Sequence, residues 1–330
     1  MRLLFCGTPH FAVPTLKHLL AQPDFQILAV ITQPDRPRGR GQDVSFSPVK
    51  ETALAANLSV FQPEKIRTPE SEQFLRNANP DAIVIIAYGQ IIPARLLTIP
   101  KLGWINSHAS LLPKYRGAAP IQWAIASGEN TTGITTMRID AGMDTGEMLL
   151  QQETTIGSNE TTPELSARLA EISAPLMAAT LRGVRDAKVH PKRQIHENAT
   201  LAPLLKKEDG RIDWSLPAQA IYNRMRAFTP WPGSYSTFRN SPCHLRGADN
   251  PVYPGPLGAS NESAAQLRPS AESQPTPLPG TISLQNGNLL ISCGQKTLLQ
   301  VSRVKLEGRK QISAQEFVNG NHVEDGERFV

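Results

Sequence analysis

Asn106 and His108 stand two residues apart in the stretch WINSHASLLPKYRGAAPI, residues 104–121. On an extended backbone positions i and i+2 share a face, so an amide and an imidazole would sit together on one side of a sheet. The amide donates, and the imidazole donates or accepts according to its protonation; such a pair can bind and transform a polar ligand. Pro113 ends the strand, because proline brings no N–H to a ladder and restrains the residue before it. Lys114, Tyr115, Arg116 and Gly117 then make a polar turn, and the small Ala118 and Ala119 before Pro120 let a helix begin against the sheet. Side chains and backbone amides therefore converge at one strand end, where open α/β sheets bind ligands. By itself, N-x-H also fits a core histidine beside a turn.

The elements around this stretch must supply the sheet. Residues 2–6 are apolar and stop at Gly7; residues 11–20 follow with Leu16, Leu19 and Leu20 at helical spacing. Residues 27–32 read as a second strand. It runs into QPDRPRGRGQDVSFSP, which has too much Pro and Gly for regular structure and carries Arg36, Arg38 and Arg40 at alternate positions. A helix over 49–57, a short strand at 60–61, a helix over 69–77 and a very apolar strand ending before Tyr88, Gly89 and Gln90 come next. This alternation predicts an α/β, Rossmann-like, mostly parallel sheet covered on both faces. No G-x-G-x-x-G follows the first strand, so nothing points to a dinucleotide. Beyond the central stretch, residues 134–139 and 148–152 read as a hairpin around the loop DAGMDTG, with Asp144 within it, and residues 163–181 as a long helix. Asp144 alone would be read as a turn residue.

The first domain is placed at 1–187. A basic linker follows at 188–207, with Lys188, Lys192, Arg193, Lys206 and Lys207 against Glu197. Residues 208–330 are expected to form a small OB-like β-barrel, with strands at 235–238, 281–284, 289–292 and 298–306. Residues 250–280, rich in Pro, Ser and Ala, read as a disordered insertion.

A chain of 330 residues has room for two domains, and its net charge of +5 hints at an anionic partner. Cys6, Cys243 and Cys293 show no C-x-x-C spacing, which argues for a reducing compartment and against structural zinc. The run RLLFC is too short for a signal-peptide core, and residues 82–87 are too few to span a membrane. A cytoplasmic protein, expected to be a monomer, fits these features.

With its motifs in place, the chain resembles the folate-dependent formyltransferases over nearly its whole length, and among them the branch that formylates methionyl-tRNA. The family pattern N-x-H-x-S-L-L-P, an Arg-Gly pair and a later D-T-G are met by Asn106, His108, Ser110, Leu111, Leu112, Pro113, Arg116, Gly117 and Asp144. Ser107 departs from the usual aliphatic residue, Ala109 from a common glycine, and the stretch after Asn250 is longer than the pattern. The resemblance implies transfer of the formyl group of 10-formyltetrahydrofolate to the amine of initiator methionyl-tRNA, with no metal. It assigns Asn106 and His108 to the developing oxyanion and Asp144 to proton transfer. Ser110 to Pro113, Tyr88 and Gln90 would line the folate site. Arg36, Arg38 and Arg40, with Lys206, Lys207, Arg303 and Lys305, would touch tRNA phosphates. A solvated loop remains the plain reading of the arginines. Formylation of an amino sugar, or RNA binding without catalysis, are the competing functions.

Overall fold

The computed structural model describes residues 1–38, 43–248 and 277–330. Arg40 and most of the expected 250–280 insertion lie outside the described residues. The chain divides into two units. One holds Met1–Ile121, Thr131–Ile156 and Glu164–Leu204, and the other Gln122–Asn130, Gly157–Pro163 and Leu205–Val330.

The first unit begins with β1 (Arg2–Gly7), α1 (Val13–Leu20) and β2 (Gln26–Ile31). The arginine loop, expected to be irregular, instead forms a ribbon of β3 (Arg36–Arg38) and β4 (Asp43–Ser45). A two-stranded ribbon has open edges on both sides, so Pro37 is tolerated without a ladder N–H. α2 (Pro48–Ala55) and α3 (Pro69–Ala78) each start with proline. Ser47 and Thr68 cap them by accepting the N–H of Lys50 and Ser71. β5 (Val60–Phe61) lies between these helices, followed by β6 (Ala82–Ile86), α4 (Ala94–Leu97) and β7 (Trp104–His108); α5 (Pro120–Ala126), next in the chain, clusters with the second unit from Gln122 onward. The hairpin of β8 (Thr131–Arg138) and β9 (Met148–Thr155) precedes α6 (Thr162–Arg185).

The strand order is β5-β2-β1-β6-β7-β8-β9. The first five strands run parallel, and β8 and β9 are antiparallel additions. On one face Leu16 and Leu19 of α1 and Met177 and Leu181 of α6 pack on Leu3, Phe5 and Val84. On the other, Leu75 of α3 and Leu96 of α4 pack on Leu4, Cys6, Ile83 and Ile85. Burial on both faces is why these strands read as unbroken apolar runs. The order turns back between β1 and β6, and the crevice at such a point is where open sheets take ligands.

The second unit holds α7 (Ala218–Ala227), β10 (Tyr235–Phe238), β11 (Ser241–Gly247), β12 (Ile282–Gln285), β13 (Asn288–Ser292), β14 (Leu298–Leu306), β15 (Ile312–Ser313) and α8 (Ala314–Gly320). Its antiparallel, barrel-like sheet runs β10-β11-β14-β13-β12, with β15 on β14. Trp214, Ile221, Leu245, Ile291, Leu299, Phe317 and Phe329 belong to its core. Among the described residues, no helix is long and apolar enough to cross a membrane.

Candidate active site

β6 and β7 pair with Ile85 opposite Asn106, so residues 87–90 leave the sheet alongside His108. Asn106 is half-buried, and its side chain makes no hydrogen bond to the described residues. Its amide is thus a free donor at the strand end. His108 is buried. Its Nε2 lies 2.9 Å from the Tyr115 carbonyl, which can only accept, so Nε2 carries a proton. Nδ1, on the other edge of the ring, faces Asp144 Oδ2 at 3.6 Å.

Asp144 is held from three directions. Gly117 N–H donates to its Oδ2 at 2.9 Å. The Gln194 amide donates to its backbone carbonyl and to that of Gly146, both at 2.8 Å. Asp140 accepts from Gly142 N–H and Thr145 Oγ1, closing the loop on itself. Asp144 sits at φ +51°. A non-glycine residue holds that conformation only where its surroundings fix it, and such residues gather at functional sites. A larger residue at Gly117 is strained: its φ is +120°, and a Cβ would come 2.7 Å from the Ala202 carbonyl.

The segment from 188 to 204, expected as linker, clusters with the first unit. Lys192 pairs with Met148, Thr200 accepts from Arg116 N–H, and Ala202 N–H donates to the Arg116 carbonyl. Arg116 is buried with its guanidinium on Gln194 Oε1 and on Nδ1 of His196. Gln194, His196 and Thr200 carry no motif, so no local signal marks them.

The residues 110–113 form a turn whose polar groups are engaged internally. Ser110 Oγ donates to the Lys114 carbonyl, and Thr135 Oγ1 donates to the carbonyl of Ser110. Leu112 N–H donates to Thr135 Oγ1, and Gln151 donates to the Leu112 carbonyl. Leu111 and Pro113 remain half-exposed. The Tyr88 side chain is buried in the apolar layer under the sheet with Cys6, Ile66 and Trp104. Its hydroxyl has no hydrogen-bond partner among the described residues, and burial pushes its pKa well above the usual phenol range. What Tyr88 offers the strand end is its carbonyl, which accepts from Thr8 and Gln33.

A cleft of about 930 Å³ opens at the ends of β1, β2 and β6. Thr8, Gln33 and Arg36 line one part, and Lys65, Ile66, Arg67, Gly89, Gln90, Ile91 and Pro93 line another. Gln90 shapes it by accepting from Ile66 N–H and donating to the carbonyls of Pro63 and Glu64. Three cations, Arg36, Lys65 and Arg67, and one carboxylate, Glu64, line it beside the apolar Ile91 and Pro93. Neither Tyr88, the residues 110–113, nor Asn106, His108 and Asp144 are among its lining.

Of the expected phosphate contacts, Arg36 is exposed and faces Glu64 at 3.6 Å, and Arg38 stands on β3 in register with Asp43. The base of this ribbon is anchored by Lys50 and Gln62, which both bond to Asp35. Burial raises the Asp35 pKa, but those two hydrogen bonds and the Lys50 charge outweigh it, so the carboxyl is held below its ordinary value. In the second unit, Lys206, Lys207, Arg303 and Lys305 are exposed. Arg303 lies opposite Arg246, and Lys305 opposite His244. Partial burial and the charges of Lys305 and Lys207 push the His244 pKa down.

Family comparison extends over both units. The formyl transferase model matches residues 1–181, and the model of the formyl transferase C-terminal domain matches residues 204–322. This chain belongs to the formyl transferase family. The formyltransferase is 49% identical to a methionyl-tRNA formyltransferase of Solibacter usitatus, over all of this chain and 98% of that protein. With a methionyl-tRNA formyltransferase of Acidobacterium capsulatum it shares 48% over 97% of each chain. Among solved structures, a sugar 3N-formyl transferase, WlaRD, aligns with a TM-score of 0.62 at 17% identity, covering 94% of this chain and 99% of that one. An N-formyltransferase from Helicobacter canadensis aligns with the same score and identity over 91% and 98%. At that identity the two structures speak for the fold alone.

Proposed function

We propose that this formyltransferase moves the formyl group of 10-formyltetrahydrofolate to the α-amino group of methionyl-tRNA. The observation that carries the reading is the 3.6 Å approach of His108 Nδ1 to Asp144 Oδ2 at the end of β7, on which Asn106 stands two residues earlier. The acceptor is inferred from the full-length likeness to the two methionyl-tRNA formyltransferases. The folate derivative supplies an activated one-carbon group on nitrogen. Ile91 and Pro93 would hold its rings in the cleft, and Lys65 and Arg67 its carboxylates.

The residues divide the work by what they can donate. As the amine adds to the formyl carbon, the former carbonyl oxygen becomes negative. The Asn106 amide and the Nδ1–H of protonated His108 stabilise it, each such donor being worth about 3 kcal/mol in a preorganised site. Asp144 accepts the proton that the amine loses. It passes that proton to the departing folate nitrogen, so the C–N bond to folate breaks without a net proton change. The amine needs little help, because α-amino groups titrate near ~8. Arg36 on the ribbon and the cations of the second unit hold the phosphates without reading bases.

The test offers the purified protein a formyl donor together with charged tRNA, free methionine and an amino-sugar nucleotide. Transfer to methionyl-tRNA alone is expected. Transfer to the sugar, or to nothing, would overturn the reading.

A further inference from the structure

On the reading of Asp144 just given, we infer that Gln194 is a positioning residue of the reaction, whose carboxamide locks the Asp144 loop to the turn after β7. A primary amide offers two N–H donors and two acceptor lone pairs. Gln194, only 6% exposed, uses all four. Its Nε2 donates to the carbonyls of Asp144 and Gly146, and its Oε1 accepts from Nε and Nη2 of Arg116 at 2.9 and 2.7 Å. Arg116 is in turn fixed through its own backbone to Thr200 and Ala202.

The chain of contacts has a direction. The turn that supplies Tyr115 to His108 and Gly117 to Asp144 also supplies Arg116 to Gln194. One end of a single amide thus meets the turn beside the imidazole, and the other meets the backbone of the carboxylate. The guanidinium polarises the carboxamide it donates to and strengthens its N–H donors. Asp144 at φ +51° is held by a bond to its carboxylate and a bond to its own carbonyl. Without the second, the residue is free to leave that conformation, and the 3.6 Å approach to His108 goes with it. Asparagine is one methylene too short to reach both partners, and glutamate lacks the donors.

Two variants test this. Gln194→Ala removes both ends of the amide. Gln194→Glu keeps an acceptor for buried Arg116, so the fold is held, but loses both donors. Each is compared with the unaltered protein by amide hydrogen exchange and by steady-state formyl transfer. Exchange is expected to accelerate over residues 140–147, and turnover to fall by ~10²-fold while both KM values stay within about threefold, as for a misplaced reacting group. Unchanged exchange over 140–147 in both variants, or a raised KM with turnover kept, would overturn the assignment. Accelerated exchange in a protein whose unaltered form moves no formyl group would uphold the clamp and reject the reaction proposed for Asp144.

Discussion

The surroundings of Asp144 and the outer face of β11 and β14 are both polar, yet they are built on opposite plans. Around Asp144 the groups are mostly buried, and Gln194 uses every donor and acceptor it has. On the strand pair, Arg246 faces Arg303 with like charges opposite, and His244, whose pKa is pushed down, faces Lys305. Such pairing destabilises a sheet. The first arrangement sacrifices freedom for position; the second accepts repulsion so that charge is available to something else. A site for bond making needs atoms held to fractions of an ångström, whereas a surface for a polyanion needs only cations within reach.

The sharpest break of that contrast is at the imidazole. His108→Ala is expected to lower turnover by ~10²-fold or more with tRNA binding nearly kept, as for removal of a preorganised donor. Turnover that survives, measured with charged tRNA, would put the chemistry elsewhere. Gly117→Ala comes next, because a side chain there meets the Ala202 carbonyl at a left-handed φ. It should cost ~1–3 kcal/mol in denaturant melts, with turnover falling as well. On the strand face the same kind of truncation should be mild. Arg303→Ala with Lys305→Ala is expected to flatten the salt dependence of tRNA binding by ~1 unit of slope for each phosphate no longer neutralised, leaving turnover at saturation unchanged. An unaltered slope would remove this face from the interface. The smallest effect is expected at Tyr88→Phe, which deletes a buried hydroxyl without a partner. Melting should show no loss, or a gain of up to ~1 kcal/mol; weaker folate binding would instead assign the hydroxyl a ligand.

Sequence made the sheet legible because its strands are apolar on both faces and its helices are not, so the two periods separate cleanly. The N-x-H spacing made Asn106 and His108 candidates and the family resemblance added Asp144, which alone reads as a turn residue; the structure brings His108 and Asp144 within 3.6 Å. β11 escaped notice because Pro242 opens it and only Cys243, Leu245 and Gly247 point inward. α8 had a readable start: Ser313 and Glu316 form a capping box. Gln194 was out of reach, because what makes it matter is four partners from distant segments, and no local pattern encodes those. Tyr88 shows the converse. A residue placed correctly at a strand end turned its ring into the core and left only its carbonyl outside.

The pairing of residues 192–202 with the turn after β7 bears on how this architecture could be recombined. A fragment cut at residue 187 would keep the imidazole and the carboxylate but discard Gln194, Thr200 and Ala202, and so arrive with its catalyst unbraced. The first unit's last stretch runs on to Leu204, well beyond where the last long helix stops, and residues 122–130 and 157–163 go with the second unit, so no single cut separates the two.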